Sequence, residues 1–83
     1  MTIPDWLTTR YGNLARGLND DTWFVTLNGH PLYRLVARPA KGQFSCAIVQ
    51  TNNGHRLDEG KTYPSRDSAL TGGLDELRNK LGW

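Results

Sequence analysis

The chain has 83 residues, a single cysteine and a formal net charge of +2. This length fits one domain over residues 1–83 and excludes a second, since so short a chain buries only about 60–65% of its unfolded surface. One cysteine excludes an intrachain disulfide, so we expect a soluble, cytoplasmic protein that depends on its apolar core. No run of about 18 apolar residues is present, and no membrane contact is expected.

Positive charge is concentrated in the middle of the chain. Residues 22–57 contain four basic residues and no acidic residue, which gives this segment a charge of +4, whereas the segments before and after it each carry −1. The four basic residues are Arg34, Arg38, Lys41 and Arg56. A segment of this kind suits an anionic partner.

The first predicted element is a helix over residues 4–18. Its apolar residues recur at helical spacing and would form one stripe that packs on the core, Leu7, Tyr11, Leu14 and Leu18. Pro4 suits the first turn of a helix, and the polar cluster at residues 19–21 ends the pattern. Gly12 opposes the helix by about 1 kcal/mol relative to alanine.

Four β-strands are predicted next, over residues 22–27, 32–38, 43–51 and 55–63. Aromatic and β-branched residues begin at Thr22, and the Asn28-Gly29 pair that follows them is typical of a two-residue hairpin turn. Asn53-Gly54 predicts a second turn of this type. A four-residue loop, Pro39–Gly42, is expected between them, so the four strands form an antiparallel meander.

A second helix is predicted over residues 66–81. Ser65 is a favourable N-cap and Gly82 a favourable left-handed residue at the C-terminal end. Gly72 and Gly73 lie inside the helix, which we explain by a close approach of the helix to the sheet, with a kink as the alternative. The predicted fold class is α+β, with the order α-ββββ-α and the C-terminal helix packed on one sheet face.

The turn positions predict which side chains share a face of the sheet. Trp23 is expected opposite Arg34, on the face that does not carry Leu35. Side chains predicted for this face also include His30, Arg38 and Arg56. An exposed aromatic ring among basic residues is how many sheets stack nucleobases and hold phosphates. The alternative is that the first helix covers this face.

No combination of residues predicts catalysis or a metal site. His30, His55 and Cys46 are the conspicuous metal-ligand types, but their spacing matches no zinc-binding pattern. Phosphate-binding loops, nucleophile triads and dinucleotide-binding motifs are absent from the sequence. We therefore expect a non-enzymatic protein without catalytic residues, metal or cofactor.

Part of the chain resembles a known DNA-binding module. Arg34 and Arg38 precede the turn at Lys41-Gly42, and Tyr63-Pro64-Ser65 leads into the second helix. In these features residues 32–81 resemble the three-strand-and-helix modules of the plant AP2 type, but lack the tryptophan-rich second strand of that family. The helix–strands–helix order is also similar to the double-stranded-RNA-binding fold, without its lysine-rich second helix. Neither resemblance supplies site residues.

These observations predict a small domain that binds RNA or DNA through an open basic and aromatic sheet face. The candidate binding residues are Trp23, His30, Arg34, Arg38, Lys41 and Arg56. The same face would also carry several valines and leucines. The alternative function is therefore a protein–protein interaction module, such as an inhibitor or adaptor of the kind that phages and mobile elements encode, or a homodimer.

Overall fold

The computed structural model describes residues 2–83, and its central feature is a five-stranded antiparallel sheet. In chain order the elements are α1 (Asp5–Thr8), β1 (Gly12–Arg16), β2 (Thr22–Leu27), β3 (His30–Ala40), β4 (Gln43–Gln50), β5 (Thr62–Tyr63) and α2 (Arg66–Leu81). The strands lie in sequence order, with β1 and β5 at the edges. The α+β class and the C-terminal helix on the sheet are confirmed, but there are five strands instead of four.

The prediction of a helix over residues 4–18 is wrong. Only Asp5–Thr8 is helical, and Tyr11, with a φ of 59°, separates this turn from strand β1. The apolar spacing was misleading because Tyr11 and Leu18 are 81% and 106% exposed, so they do not form a packed stripe with Leu7. A helix of this length that contains Gly12 is marginal in isolation, whereas pairing with β2 satisfies the backbone and packs Leu14 on the core.

Apart from β2, the predicted strands have different limits in the structure. β2 covers residues 22–27 as predicted, but β3 and β4 meet in a two-residue turn, Lys41-Gly42, with φ angles of 50° and 80°. Positive φ at both positions is typical of a type I′ turn, and β3 is longer than predicted as a result. The predicted strand 55–63 is mostly loop, since only β5 and an isolated bridge between Val49 and Arg56 pair with β4.

A β-bulge in the β2–β3 hairpin decides which residues share a face. The register shifts between Val25 and Thr26, so Phe24 pairs with Arg34 and Trp23 pairs with Leu35. A shift of one residue moves the side chains of a strand to the opposite face of the sheet. The predicted pairing of Trp23 with Arg34 is therefore wrong, and Phe24 takes that place.

The core lies between the sheet and the two helices. Its largest fully buried side chains are Leu7, Val25, Leu35, Ile48 and Leu77. α2 runs without a break, and a Cβ atom at Gly73 would lie 2.4 Å from the Sγ atom of Cys46. A Cβ atom at Gly72 would lie 2.3 Å from the Tyr63 ring. The two glycines therefore allow close helix–sheet packing, as predicted, and do not kink the helix.

α1 packs on the same side of the sheet as α2. Its Leu7 is fully buried in the shared core, and the rings of Trp6 and Trp83 have centroids 6.0 Å apart. The guanidinium of Arg10 lies 4.7 Å from the centre of the Trp83 ring, and that of Arg78 lies 6.0 Å from the Trp6 ring. α1 therefore does not cover the opposite face, on which no helix lies within residues 2–83.

Candidate functional site

The sheet face opposite α2, which we call the open face, contains a row of side chains that crosses all of the longer strands. Ala15 on β1 pairs with Phe24, which pairs with Arg34 on β3. Arg34 pairs in turn with Val49 on β4, and Val49 bridges to Arg56. We call these five residues the Phe24–Arg34 row. It places an aromatic ring next to a guanidinium group on an uncovered sheet.

Two further sets of cross-strand neighbours lie beside this row on the open face. One contains Thr22, Val36 and Ala47, and the other contains Arg38, Ser45 and Thr62. Phe24, Val36 and Val49 are half-buried, whereas Arg34 and Arg38 are exposed. The open face is therefore an apolar strip along which two arginines of β3 project.

Three cations on or beside the open face have no acidic partner in the part of the chain that the structure describes. None of the ion pairs within residues 2–83 involves Arg34, Arg38 or Lys41. Lys41 is exposed in the turn that joins β3 to β4, three residues beyond Arg38. These groups can contact an anion without first breaking an ion pair with the chain's own carboxylates.

Arg56 lies on the same face, but its charge is offset by Asp58. The Nε and Nη2 atoms of Arg56 each lie 2.6 Å from an oxygen of the Asp58 carboxylate. These hydrogen bonds hold the pKa of Asp58 at about 2, below its ordinary value of 3.8, although desolvation opposes the shift. Asp58 also accepts the backbone N–H of Ile48 at 3.0 Å. The pair thus ties the loop after β4 to the sheet, a structural role that competes with phosphate binding by Arg56.

Trp23 lies on the helix side of the sheet, where it lines a groove of about 730 Å³ between the β1–β2 turn and the first half of α2. Leu70 and Leu74 of α2 form the apolar wall of this groove. Its charged lining residues are Arg16, Asp20, Arg66, Asp67 and Asp75. Arg16 is ion-paired with Asp20, and Arg66 is ion-paired with Asp21 at 2.5 Å. Trp23 is therefore unable to stack a base on the open face.

The two histidines and the cysteine do not come together. His30 pairs with Leu27, which packs against the core, so it lies at the end of the sheet on the helix side and not on the open face as predicted. His55 is exposed directly after a four-residue loop, residues 51–54, so the predicted two-residue turn at Asn53-Gly54 is wrong. Cys46 is buried, and its burial raises the pKa of the thiol to about 12. Within the described part of the chain, no three His, Cys, Asp or Glu side chains are placed to hold a metal ion.

Phe24 is the residue of the open face that the sequence analysis missed. The signal that could have found it is Pro31, which lies two residues after the turn, because proline inside a sheet is largely confined to edge strands, strand starts and bulges. Thr26 pairs with Pro31 at the site of the bulge. A proline at this position indicates irregular pairing, and with it a change of face for the residues before the turn.

The open face is the feature of the structure on which the proposed function rests. In residues 2–83, no helix has the length and apolar character that would be needed to cross a membrane. Neither the family models nor the curated proteins nor the solved structures with which the chain was compared give a match.

Proposed function

We propose that this chain is a small non-enzymatic domain that binds single-stranded nucleic acid through its open face. The observation that carries the proposal is the Phe24–Arg34 row, in which a half-buried aromatic ring lies beside an exposed arginine that has no acidic partner among residues 2–83. Stacking of one base on an aromatic side chain contributes about 1–3 kcal/mol and tolerates any base. Phe24 would supply this stacking, and Arg34 would supply a guanidinium plane or a phosphate contact.

The position of the other cations supports the same proposal. Arg34 and Arg38 are four residues apart on β3, which corresponds to about 13 Å along an extended strand. They can therefore contact different phosphates of one strand, with Lys41 beyond them at the turn. The acidic side chain that does lie near this face, Asp58, is already paired with Arg56. An approaching polyanion would accordingly meet little repulsion.

A fluorescence anisotropy titration tests the proposal. Labelled single-stranded DNA, single-stranded RNA and duplex DNA are titrated at about 20 mM and about 150 mM salt, because phosphate contacts make binding strongly salt-dependent. Phe24→Leu keeps the apolar bulk but removes the ring, and loss of one stacked base should weaken binding by about 5- to 150-fold. Arg34→Gln should weaken binding and lower the slope against salt by about one.

Arg66→Gln is the matched control, since it removes one exposed arginine on the helix side of the sheet. It should leave the affinity close to that of the unchanged chain. The proposal fails if no nucleic acid binds at low salt. It also fails if the double substitution Phe24→Leu with Arg34→Gln binds as well as the control.

A protein partner on the same face is the second candidate, and the apolar strip favours it. Val36 and Val49 are half-buried beside Phe24, and contiguous apolar side chains on an uncovered sheet are typical of protein interfaces. Binding of this kind would depend little on salt. It would be lost in Val49→Ser but kept in Arg34→Gln, which is the reverse of the pattern expected for nucleic acid.

A further inference from the structure

The edge strand β1 is flanked by two large apolar side chains that project into solvent. Tyr11 comes directly before β1 and is 81% exposed, and Leu18 comes two residues after it and is 106% exposed. Such side chains are costly to leave in water, and β1 itself has a neighbour on one side only. Exposed apolar side chains and unpaired backbone groups therefore lie at the same edge of the sheet.

The hydrogen bonds at the ends of β1 show which of its backbone groups bond to β2. The carbonyl of Tyr11 accepts the N–H of Asn28, and the N–H of Gly17 donates to the carbonyl of Thr22. In an antiparallel pair, every second residue bonds to the neighbouring strand. The odd-numbered residues of β1 therefore bond to β2.

The even-numbered residues of β1 consequently point their backbone groups away from the sheet. These are Gly12, Leu14 and Arg16, each with an N–H and a C=O directed outward. The N–H of Leu14 donates to the side-chain oxygen of Asn13 at 2.8 Å, as expected for an N–H that no neighbouring strand accepts. Outward N–H and C=O groups at this regular spacing are complementary to another β-strand.

The backbone of Tyr11 supplies an independent observation. Its φ of 59° is left-handed, and this conformation costs a residue with a bulky side chain about 1–2 kcal/mol that glycine or asparagine largely avoids. The Tyr11 side chain is too exposed to offset that cost by packing within its own chain. Tyr11 is thus a strained and exposed aromatic residue at the start of the edge strand, a position from which it could contact a second molecule.

We propose that a second copy of this chain pairs with β1 edge to edge, antiparallel about a twofold axis at Leu14. This register pairs Leu14 with Leu14 and Gly12 with Arg16, so all three outward residues bond across the axis. An axis at Arg16 would place two arginines opposite each other and leave Gly12 without a partner within β1. The two sheets join into one sheet of ten strands, twice the five of each copy.

The same register explains the exposed side chains. It places Tyr11 of each copy beside the Gly17-Leu18 segment of the other. The contact occurs at both ends of the paired strands, so Tyr11 and Leu18 are covered in both copies. Arg16 lies opposite Gly12 and is ion-paired with Asp20 of its own chain, so like charges do not face each other. Residues paired across an antiparallel edge lie on the same side of the sheet, and the two open faces form one continuous surface. The contact is small, and we expect a dimer in the micromolar range.

Sedimentation velocity from about 5 to about 500 µM tests this association at the concentrations where weak dimers form. The weight-average mass should rise from 9.3 kDa toward twice that value. Tyr11→Asn and Leu18→Ser should each weaken association at least about tenfold, since each removes a covered apolar side chain. Asn13→Ala frees the N–H of Leu14 and should strengthen association by a few-fold.

Lys41→Asn is the matched control, because Lys41 is also exposed and left-handed, with a φ of 50°, but lies at the far turn of β3 and β4. It should not change the mass distribution. Tyr11→Asn should in addition raise the Tm of the monomer by about 4–8 °C, a shift opposite to that of losing a structural side chain. A chain that stays monomeric at every concentration overturns the proposal. A dimer that survives both Tyr11→Asn and Leu18→Ser overturns it as well, and neither result bears on nucleic-acid binding.

Discussion

Gly73→Ala should change the free energy of unfolding through two effects of opposite sign, a gain in helix propensity and a loss from overpacking. In a helix that touches nothing, replacing glycine with alanine stabilises by about 1 kcal/mol. At Gly73, however, the added Cβ atom would lie 2.4 Å from the Sγ atom and 2.9 Å from the Cβ atom of Cys46. Both distances are far below ordinary van der Waals contact, so α2 or β4 must move to admit one methyl group.

The size of the effect follows from how little room the neighbours have. Cys46 is 4% exposed and lies on β4, between β3 and β5, so its short side chain has no free space to turn into. Overpacking a well-packed core by a methyl group costs about 1–3 kcal/mol. After the gain in helix propensity of about 1 kcal/mol is subtracted, Gly73→Ala should lower the free energy of unfolding by up to about 2 kcal/mol.

Urea denaturation of Gly73→Ala, Cys46→Ala and the double variant measures this. Removing the Sγ atom relieves the shorter contact, so the double variant should be more stable than the sum of the single effects by about 1 kcal/mol. A stabilised Gly73→Ala would refute close helix–sheet packing at this position. Strict additivity of the two substitutions would refute the contact with Cys46.

Three further predictions concern other contacts that stabilise the fold. Because the pKa of Asp58 is about 2 in the folded chain against 3.8, its pair with Arg56 stabilises the fold above about pH 4 and this is lost as the pH falls toward 2. Exposure of Arg56 limits the effect to about 1 kcal/mol, and urea unfolding from pH 6 to 2 should show a smaller decline in Asp58→Asn. Glu76 is 5% exposed and accepts the N–H of Glu59 at 2.5 Å, so Glu76→Leu should cost about 1–3 kcal/mol in urea unfolding, and Glu76→Gln less. Trp83→Ala should lower the Tm and speed hydrogen exchange in α1, because it removes the ring that contacts Trp6; unchanged exchange in α1 would contradict this.

The sequence predicted those elements that short-range chemistry determines. Asn28-Gly29 adopts positive φ at both positions and closes the β2–β3 hairpin. Ser65 caps α2 through a reciprocal bond with Ser68, and Gly82 ends the helix with a φ of 74°. In each case the residue type and its neighbours within four positions carry the whole signal. The limits of α2 were predicted correctly for this reason.

The errors came from pairing between strands, which the apolar spacing within one segment does not reveal. Residues 12–16 satisfy a helical spacing, and it is pairing with β2 that makes them a strand. The bulge at Val25 and Thr26 inverts one strand relative to its neighbour, so Trp23 and Phe24 exchange faces. The side chain of Asp58 accepts the N–H of Ile48, and this hydrogen bond replaces strand pairing in the loop after β4. None of these contacts can be recognised from the spacing of apolar residues in the local sequence.

The open face as the binding surface is tested most directly by mapping backbone amide chemical shifts during titration with a single-stranded oligonucleotide. We expect the largest changes at Phe24, Arg34 and Arg38, with small changes at Trp23 and along α2. Changes concentrated in the groove beside Trp23 and Leu70 would contradict the account, as would the absence of any change at low salt.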